Sequence, residues 1–262
     1  MNAFTAAFWM EAVKVRRSKV SWGTSLGFLI LPLVGGLFMI ILKNPERAQA
    51  LGIISVKAQL VGGTADWPTF FDMMLQGISI GGSILFAFIV AWVFGREFSD
   101  HTVKELLAIP TSRSTIVGAK FALTALWVLL LTVVIFVVAL GVGTAVHIPG
   151  WSPNLAWTTL RTMVLITVML FMLMPLVALF ASAGRGYLPP LGWALATLVC
   201  ANIAAVLGWA DWFPWAVPIM MSGMAGPGTE LLGLHSYVVV LLVFILGLLA
   251  TFSWWRSADQ AQ

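Results

Sequence analysis

Charged residues along this chain are confined to short intervals, and the apolar stretches between them cover about residues 22–42, 72–95, 116–146, 157–183, 188–210 and 236–255. A hydrocarbon core about 30 Å thick takes about 20 residues of helix to cross. The pattern therefore predicts an all-α integral membrane protein of six transmembrane helices forming one domain over residues 1–262. The first stretch is too long for a signal-peptide core and lacks a small-residue cleavage site after it, so it is expected to be a retained span. Ahead of it, Phe4, Phe8, Ala12 and Val15 fall near helical spacing around Lys14, Arg16, Arg17 and Lys19. That arrangement predicts an interfacial amphipathic helix over 1–21. Residues 43–71 read as a loop holding one short helix. At 1.5 Å per residue, Ile116 to Val146 would extend about 46 Å, so this helix must tilt or project beyond the bilayer.

Composition sharpens the exclusions. Of 262 residues, 60% are hydrophobic and 9% charged, which rules out a soluble globular enzyme. The single cysteine, Cys200, leaves no disulfide or cysteine metal cluster within one chain. His101, His147 and His235 are dispersed along the chain, so their spacing forms no metal site. Gly118-Ala119-Lys120 lacks the glycine-lysine pair of a phosphate loop, and no H-E-x-x-H or G-x-S-x-G occurs. No cofactor is expected on this chain, and an intramembrane enzyme is disfavoured.

The formal charge of +4 is a modest excess, and its distribution matters more than its sum. Lys14, Arg16, Arg17, Lys19, Arg96, Lys104, Arg113, Lys120, Arg185 and Arg256 fall on one side of the six spans; Lys43, Arg47, Lys57 and Arg161 fall on the other. The positive-inside rule then places both termini in the cytoplasm, with the bilayer and not nucleic acid as the basic residues' surroundings. Trp151, Trp157, Trp209, Trp212 and Trp215 would form the outer aromatic belt, and Trp22, Trp92, Trp193, Trp254 and Trp255 the inner one. The centres of the spans hold no Asp, Glu, Lys or Arg, which argues against a secondary carrier coupled to protons or sodium. Gly23-x-x-x-Gly27 and Gly77-x-x-x-Gly81 permit close helix approach, within one chain or between two. Pro175 is expected to kink the fourth span and leave a carbonyl to be satisfied elsewhere.

The most polar interval, Gly95 to Arg113, lies between the second and third spans. Thr102 and Glu105 have capping-box spacing, Asp100 and Lys104 can pair at i,i+4, and Pro110 would stop a short helix whose apolar face is Val103, Leu106 and Leu107. A charged hairpin obeying topology is the plain explanation. A docking element for a partner protein is the functional one.

Here the chain resembles a family. Glu97, Thr102, Leu106, Leu107, Pro110 and Arg113 reproduce the E-x-x-x-x-T-x-x-x-L-L-x-x-P-x-x-R pattern of type-two ABC exporter permeases, with Lys120 following. Pro214-Trp215-Ala216-Val217-Pro218 before the last span is similar to the Pro-Trp-x-x-Pro of bacitracin-resistance and lantibiotic-immunity permeases. The resemblance implies a permease subunit of the bacterial plasma membrane, paired with a second, identical or related permease and with two copies of a separate ATPase that carries ATP and Mg. It implies that the segment matching Glu97 to Arg113 transmits the ATPase's motion, with Glu97, Asp100, Thr102, Lys104, Glu105, Leu106, Pro110 and Arg113 as coupling residues. The implied cargo is a hydrophobic peptide antibiotic or toxic amphiphile moved outward. The interval 211–234 is too apolar for a free loop and too proline-broken to span, so a re-entrant or interfacial hairpin is expected, with Trp212, Pro214, Trp215, Pro218, Met220 and Met221 as cargo-exit candidates. The rival readings are a scaffold or sensor that recruits a cytoplasmic regulator, and a secondary carrier.

Overall fold

The computed structural model describes residues 2–44, 63–103, 105, 111–224 and 232–257, and every regular element among them is helical. In chain order these are α1 (Ala3–Arg17), α2 (Lys19–Lys43), α3 (Trp67–Ser99), α4 (Arg113–Val146), α5 (Pro153–Ala183), α6 (Leu188–Val206), α7 (Val217–Met221) and α8 (Leu234–Ser257). Six of them, α2 to α6 and α8, are long and apolar enough to cross a membrane.

Polar caps outside the apolar runs set where the helices begin. Asp66 accepts from the Thr69 amide, Ser112 from Thr115 and Ser152 from Leu155, so α3, α4 and α5 start several residues before their apolar cores. This corrects the expected loop of 43–71 at its far end, where Trp67–Phe71 is already helix; residues 45–62 lie outside the described residues. Ser18 leaves helical geometry and caps α2 through the Val20 amide, which separates α1 from the first span. His147 (φ 56°) and Gly208 (φ +76°) close α4 and the turn after α6, so α6 ends at Val206, short of the expected 210.

The core runs along α3 and α5, where Phe70, Met74, Ile78, Phe86, Val90 and Phe94 meet Met163, Ile166, Leu170, Leu173 and Val177, all nearly inaccessible. α2 lies against α3 with Gly27 facing Leu85 and Gly77 facing Leu31, while Gly23 and Gly81 face open space. One glycine of each G-x-x-x-G pair therefore packs within the chain. On the other flank, α8 crosses α5 with Gly247 against Pro175, and Thr251 Oγ1 donates to the Pro175 carbonyl at 2.9 Å.

Two ends result. The ends of α3, α5 and α8, the starts of α2, α4 and α6, and all of α1 share a basic end. At the opposite end, Lys43 Nζ donates to the carbonyls of Val146 and His147 at 2.6 and 2.8 Å, and the Trp67 amide donates to Pro149 at 3.0 Å. The belts follow this division only in part. Trp22, Trp151, Trp157, Trp209 and Trp212 are exposed, but Trp255 is fully buried, its Nε1 donating to Ser182 Oγ at 3.0 Å. Trp215 and Trp193, expected in opposite belts, have ring centroids 5.7 Å apart. The cause is the chain after α6, which folds back along the bundle. Ser222, just past α7, hydrogen-bonds Ser79 at 3.2 Å, and Ser79 lies about 18 Å along α3 from its start.

Candidate functional site

At the basic end, α1, α3 and α4 converge on four charged side chains. Glu11 and Lys14 occupy one face of α1 at i,i+3 spacing, Glu97 lies in the last turn of α3, and Lys120 lies two turns into α4. Lys120 Nζ donates to the Val93 carbonyl at 2.7 Å, to Glu97 Oε1 at 2.8 Å and to Glu11 Oε2 at 3.3 Å. Lys14 Nζ donates to Glu11 Oε1 at 2.7 Å and to Glu97 Oε1 at 2.9 Å. Two carboxylates thus balance two ammonium groups.

Burial makes that balance necessary. Lys120 is 0% exposed and Glu11 and Glu97 are 3% exposed, and each isolated ion would cost several kcal/mol to desolvate. Lys14 sits at the edge of the group. Burial alone would lower its pKa, but the carboxylates of Glu97 and Glu11 outweigh that and hold it above the ordinary lysine range. Glu97 Oε2 is the group's one unsatisfied oxygen, buried without a hydrogen-bond partner.

The polar segment grows directly out of this junction. α3 ends at Ser99, His101 takes a left-handed conformation (φ 57°), and the Thr102 amide returns to the Glu97 carbonyl at 2.9 Å. Asp100 follows the last turn of α3 and pairs with Arg96 Nε at 3.2 Å; Lys104, the partner its i,i+4 spacing suggests, lies outside the described residues. Val103 turns inward, Thr102 is half-buried and Glu105 is exposed. Lys104, Leu106, Leu107 and Pro110 lie outside the described residues. Arg113 opens α4 and donates to the carbonyls of Trp255 and Arg256 at 3.3 and 3.4 Å, while Arg256 Nε donates to Ser114 Oγ at 3.0 Å, which fastens α4 to the end of α8. A cleft of about 290 Å³ opens beside the junction, bordered by Lys14, Arg96, Glu97, Asp100, Thr102 and Glu105.

Of the residues singled out from sequence, Glu97, Asp100, Thr102 and Glu105 are therefore brought together, and Arg113 stands apart on the α8 side. Glu97 faces the interior and binds helices to one another; Glu105 faces outward. Nothing in the local sequence marks Glu11 or Lys14 as site residues, and Lys120 stands out only by its place after the motif. The available signal was Lys120 itself, a cation inside an apolar run, which demands an acid at the same end of the bundle.

The second group lies toward the other end. Trp212 stacks on His235 with centroids 4.4 Å apart, and His235 Nε2 meets Asp211 Oδ2 at 2.9 Å. Pro214 and Pro218 are buried, Trp215 lies against Trp193, and Met220 and Met221 are half-buried. Of the aromatic and methionine residues in this group, only Trp212 is largely free.

Residues 7–201 match the family described as ABC-2 family transporter protein. The chain belongs to the ABC-2 transporter family. It is also 26% identical over 195 residues to the bacitracin transport permease protein of Bacillus licheniformis, an alignment covering 73% of this chain and 91% of that protein. No solved structure matches. The family match includes the four clustered charges and the whole polar segment, while α7 and α8 lie beyond it. As an ABC-2 permease, the protein is a multi-pass component of the bacterial plasma membrane and the membrane part of an ABC transporter, and its family implies partnership with an ATPase subunit. ABC-2 permease subunits are generally not themselves catalytic.

Proposed function

We propose that this permease exports a hydrophobic or amphipathic cargo, a peptide antibiotic or toxic amphiphile, outward across the membrane. ATP and Mg act on two copies of a separate ATPase chain, and a second permease, identical or related, completes the pathway. Both termini face the cytoplasm, so the basic end is the end the ATPase meets. The observation that carries this reading is the buried junction of Glu11, Lys14, Glu97 and Lys120 directly beside the polar segment.

A force on the segment after Asp100 reaches Glu97 within one turn, and Glu97 is ion-paired to α4 and to α1. The three helices then move as one body, because separating any of them would strand a buried charge. Alternating access follows when nucleotide-driven closure of the ATPase pair rearranges two such bundles. Glu105, exposed at the edge of the cleft, is the coupling residue best placed for direct contact, and Glu97 is a positioning residue. The segment from Trp209 to Ser222 is a re-entrant hairpin in this reading, supported by its contacts to Trp193 and Ser79 inside the bundle. The bacitracin permease relative supports the cargo class. The test is cargo export and ATP hydrolysis measured together in cells carrying Glu105→Lys or a deletion of residues 102–109. The expected result is hydrolysis without export in a protein that still inserts; unchanged export sinks the proposal.

A further inference from the structure

A second cleft, of about 410 Å³, lies at the basic end, where α1 hands over to α2. Its border includes Lys14, Arg17, Ser18, Trp92, Arg96 and Tyr187. Three cations border this opening; Lys14 is paired with Glu11 and Glu97 and Arg96 with Asp100, so Arg17 carries the unbalanced positive charge. The Arg96 guanidinium carbon lies over the Trp92 ring, 5.2 Å from its centroid, which holds this cation at the rim. Arg17 is exposed and makes no ion pair among the described residues. Tyr187 and Ser18 add hydroxyl groups at the same rim.

An opening with net positive charge, a planar guanidinium and hydroxyl donors is suited to a phosphate oxyanion. The surroundings specify more than phosphate. Ser18 borders the cleft, and Trp22, Leu26 and Ile30 follow that cap at successive i,i+4 steps of α2, a stripe that winds gradually around the helix by about 40° per step. These three side chains are 73, 61 and 58% exposed. A polar, cationic opening thus leads directly onto an apolar lane running along a transmembrane helix.

We propose that this cleft binds the phosphate headgroup of an anionic phospholipid, with the acyl chains lying along Trp22, Leu26 and Ile30. The site adds a lipid ligand that the export reading does not require. It shares Lys14 with the buried junction and Arg96 and Asp100 with the coupling cleft, so occupancy would brace α1 against α3 from the membrane side.

The experiment uses the full chain purified in mild detergent, incubated with vesicle lipids of two compositions, phosphatidylglycerol or phosphatidylcholine, and read by native mass spectrometry. Retention of phosphatidylglycerol over phosphatidylcholine is expected. Arg17→Gln should weaken it about fivefold, and Arg17→Gln with Arg96→Gln more than that. Arg17→Gln breaks no ion pair, so it reads binding without disturbing the fold, and Arg161→Gln at the other end should leave retention unchanged. A stripe variant, Trp22→Ser with Leu26→Ser, separates the lipid from a free phosphate: it should weaken the lipid and leave any binding of glycerol phosphate untouched. Equal retention of the two lipids, retention insensitive to Arg17→Gln, or glycerol phosphate binding as tightly as the lipid would each overturn the proposal.

Discussion

Lys120 is fully buried, and the hydration of its ammonium group is replaced by one carbonyl and two carboxylates contributed by other helices. Removing it leaves Glu97 buried with only Lys14 at its edge. Lys120→Met should destabilise the detergent-solubilised protein by about 3–5 kcal/mol, and Glu97→Leu combined with it should recover much of the loss, because Glu11 and Lys14 still pair with each other. A double-mutant cycle on thermal unfolding reads the coupling directly; additive losses would contradict the pairing. Gly143 provides a steric counterpart. A Cβ there would overlap the ring of Trp67, which is 2% exposed and hemmed in by Phe70, Phe71 and Trp151. Gly143→Ala should cost about 1–3 kcal/mol, and an unchanged melting temperature would count against that fit.

At this scale the sequence was least informative. Glu11 and Lys120 are 109 residues apart, and their meeting depends on how α1 lies across α3 and α4. The break at His101 is likewise a backbone event, a left-handed residue (φ 57°) that no local motif announces. Trp215 was assigned to a belt by its place in the chain, which a hairpin folding back on itself overrides.

Among the elements, α1 is the one whose attachment rests most on charge. Its Phe4 and Trp9 remain exposed, and Glu11 and Lys14 clip it to the bundle. Because the folded state raises the Lys14 pKa, that contribution is fully present below the unfolded lysine value of about 10.4. It disappears as pH rises through the folded value. Hydrogen exchange over residues 3–17 should therefore stay slow through neutral pH and accelerate above pH of about 10.5; protection that persists at still higher pH would show that α1 docks by apolar contact alone. The spans themselves were legible, since uninterrupted apolar length reports a membrane helix directly. Their starts were not, because the capping residues Asp66, Ser112 and Ser152 stand outside the apolar runs.

For the whole molecule, the long helices α3 and α4 meet at the buried junction, and α8 is fastened to the start of α4 by Arg113 and Arg256. Three spans and α1 are thereby tied together by polar contacts near residues 97–120 and 255–256. The family was legible because its motif lies in one continuous stretch, whereas the buried junction beside the polar segment is assembled from three separate ones. The central claim is that this chain works as the membrane half of an ATP-driven exporter through that segment. Its most direct test is purification of the tagged protein from native membranes in mild detergent, with the bound polypeptides identified and their ATPase activity measured. The account predicts a stoichiometric ATPase that is released or uncoupled by Glu105→Lys. A protein that comes through purification intact, with no ATPase bound from membranes known to contain one, would contradict it.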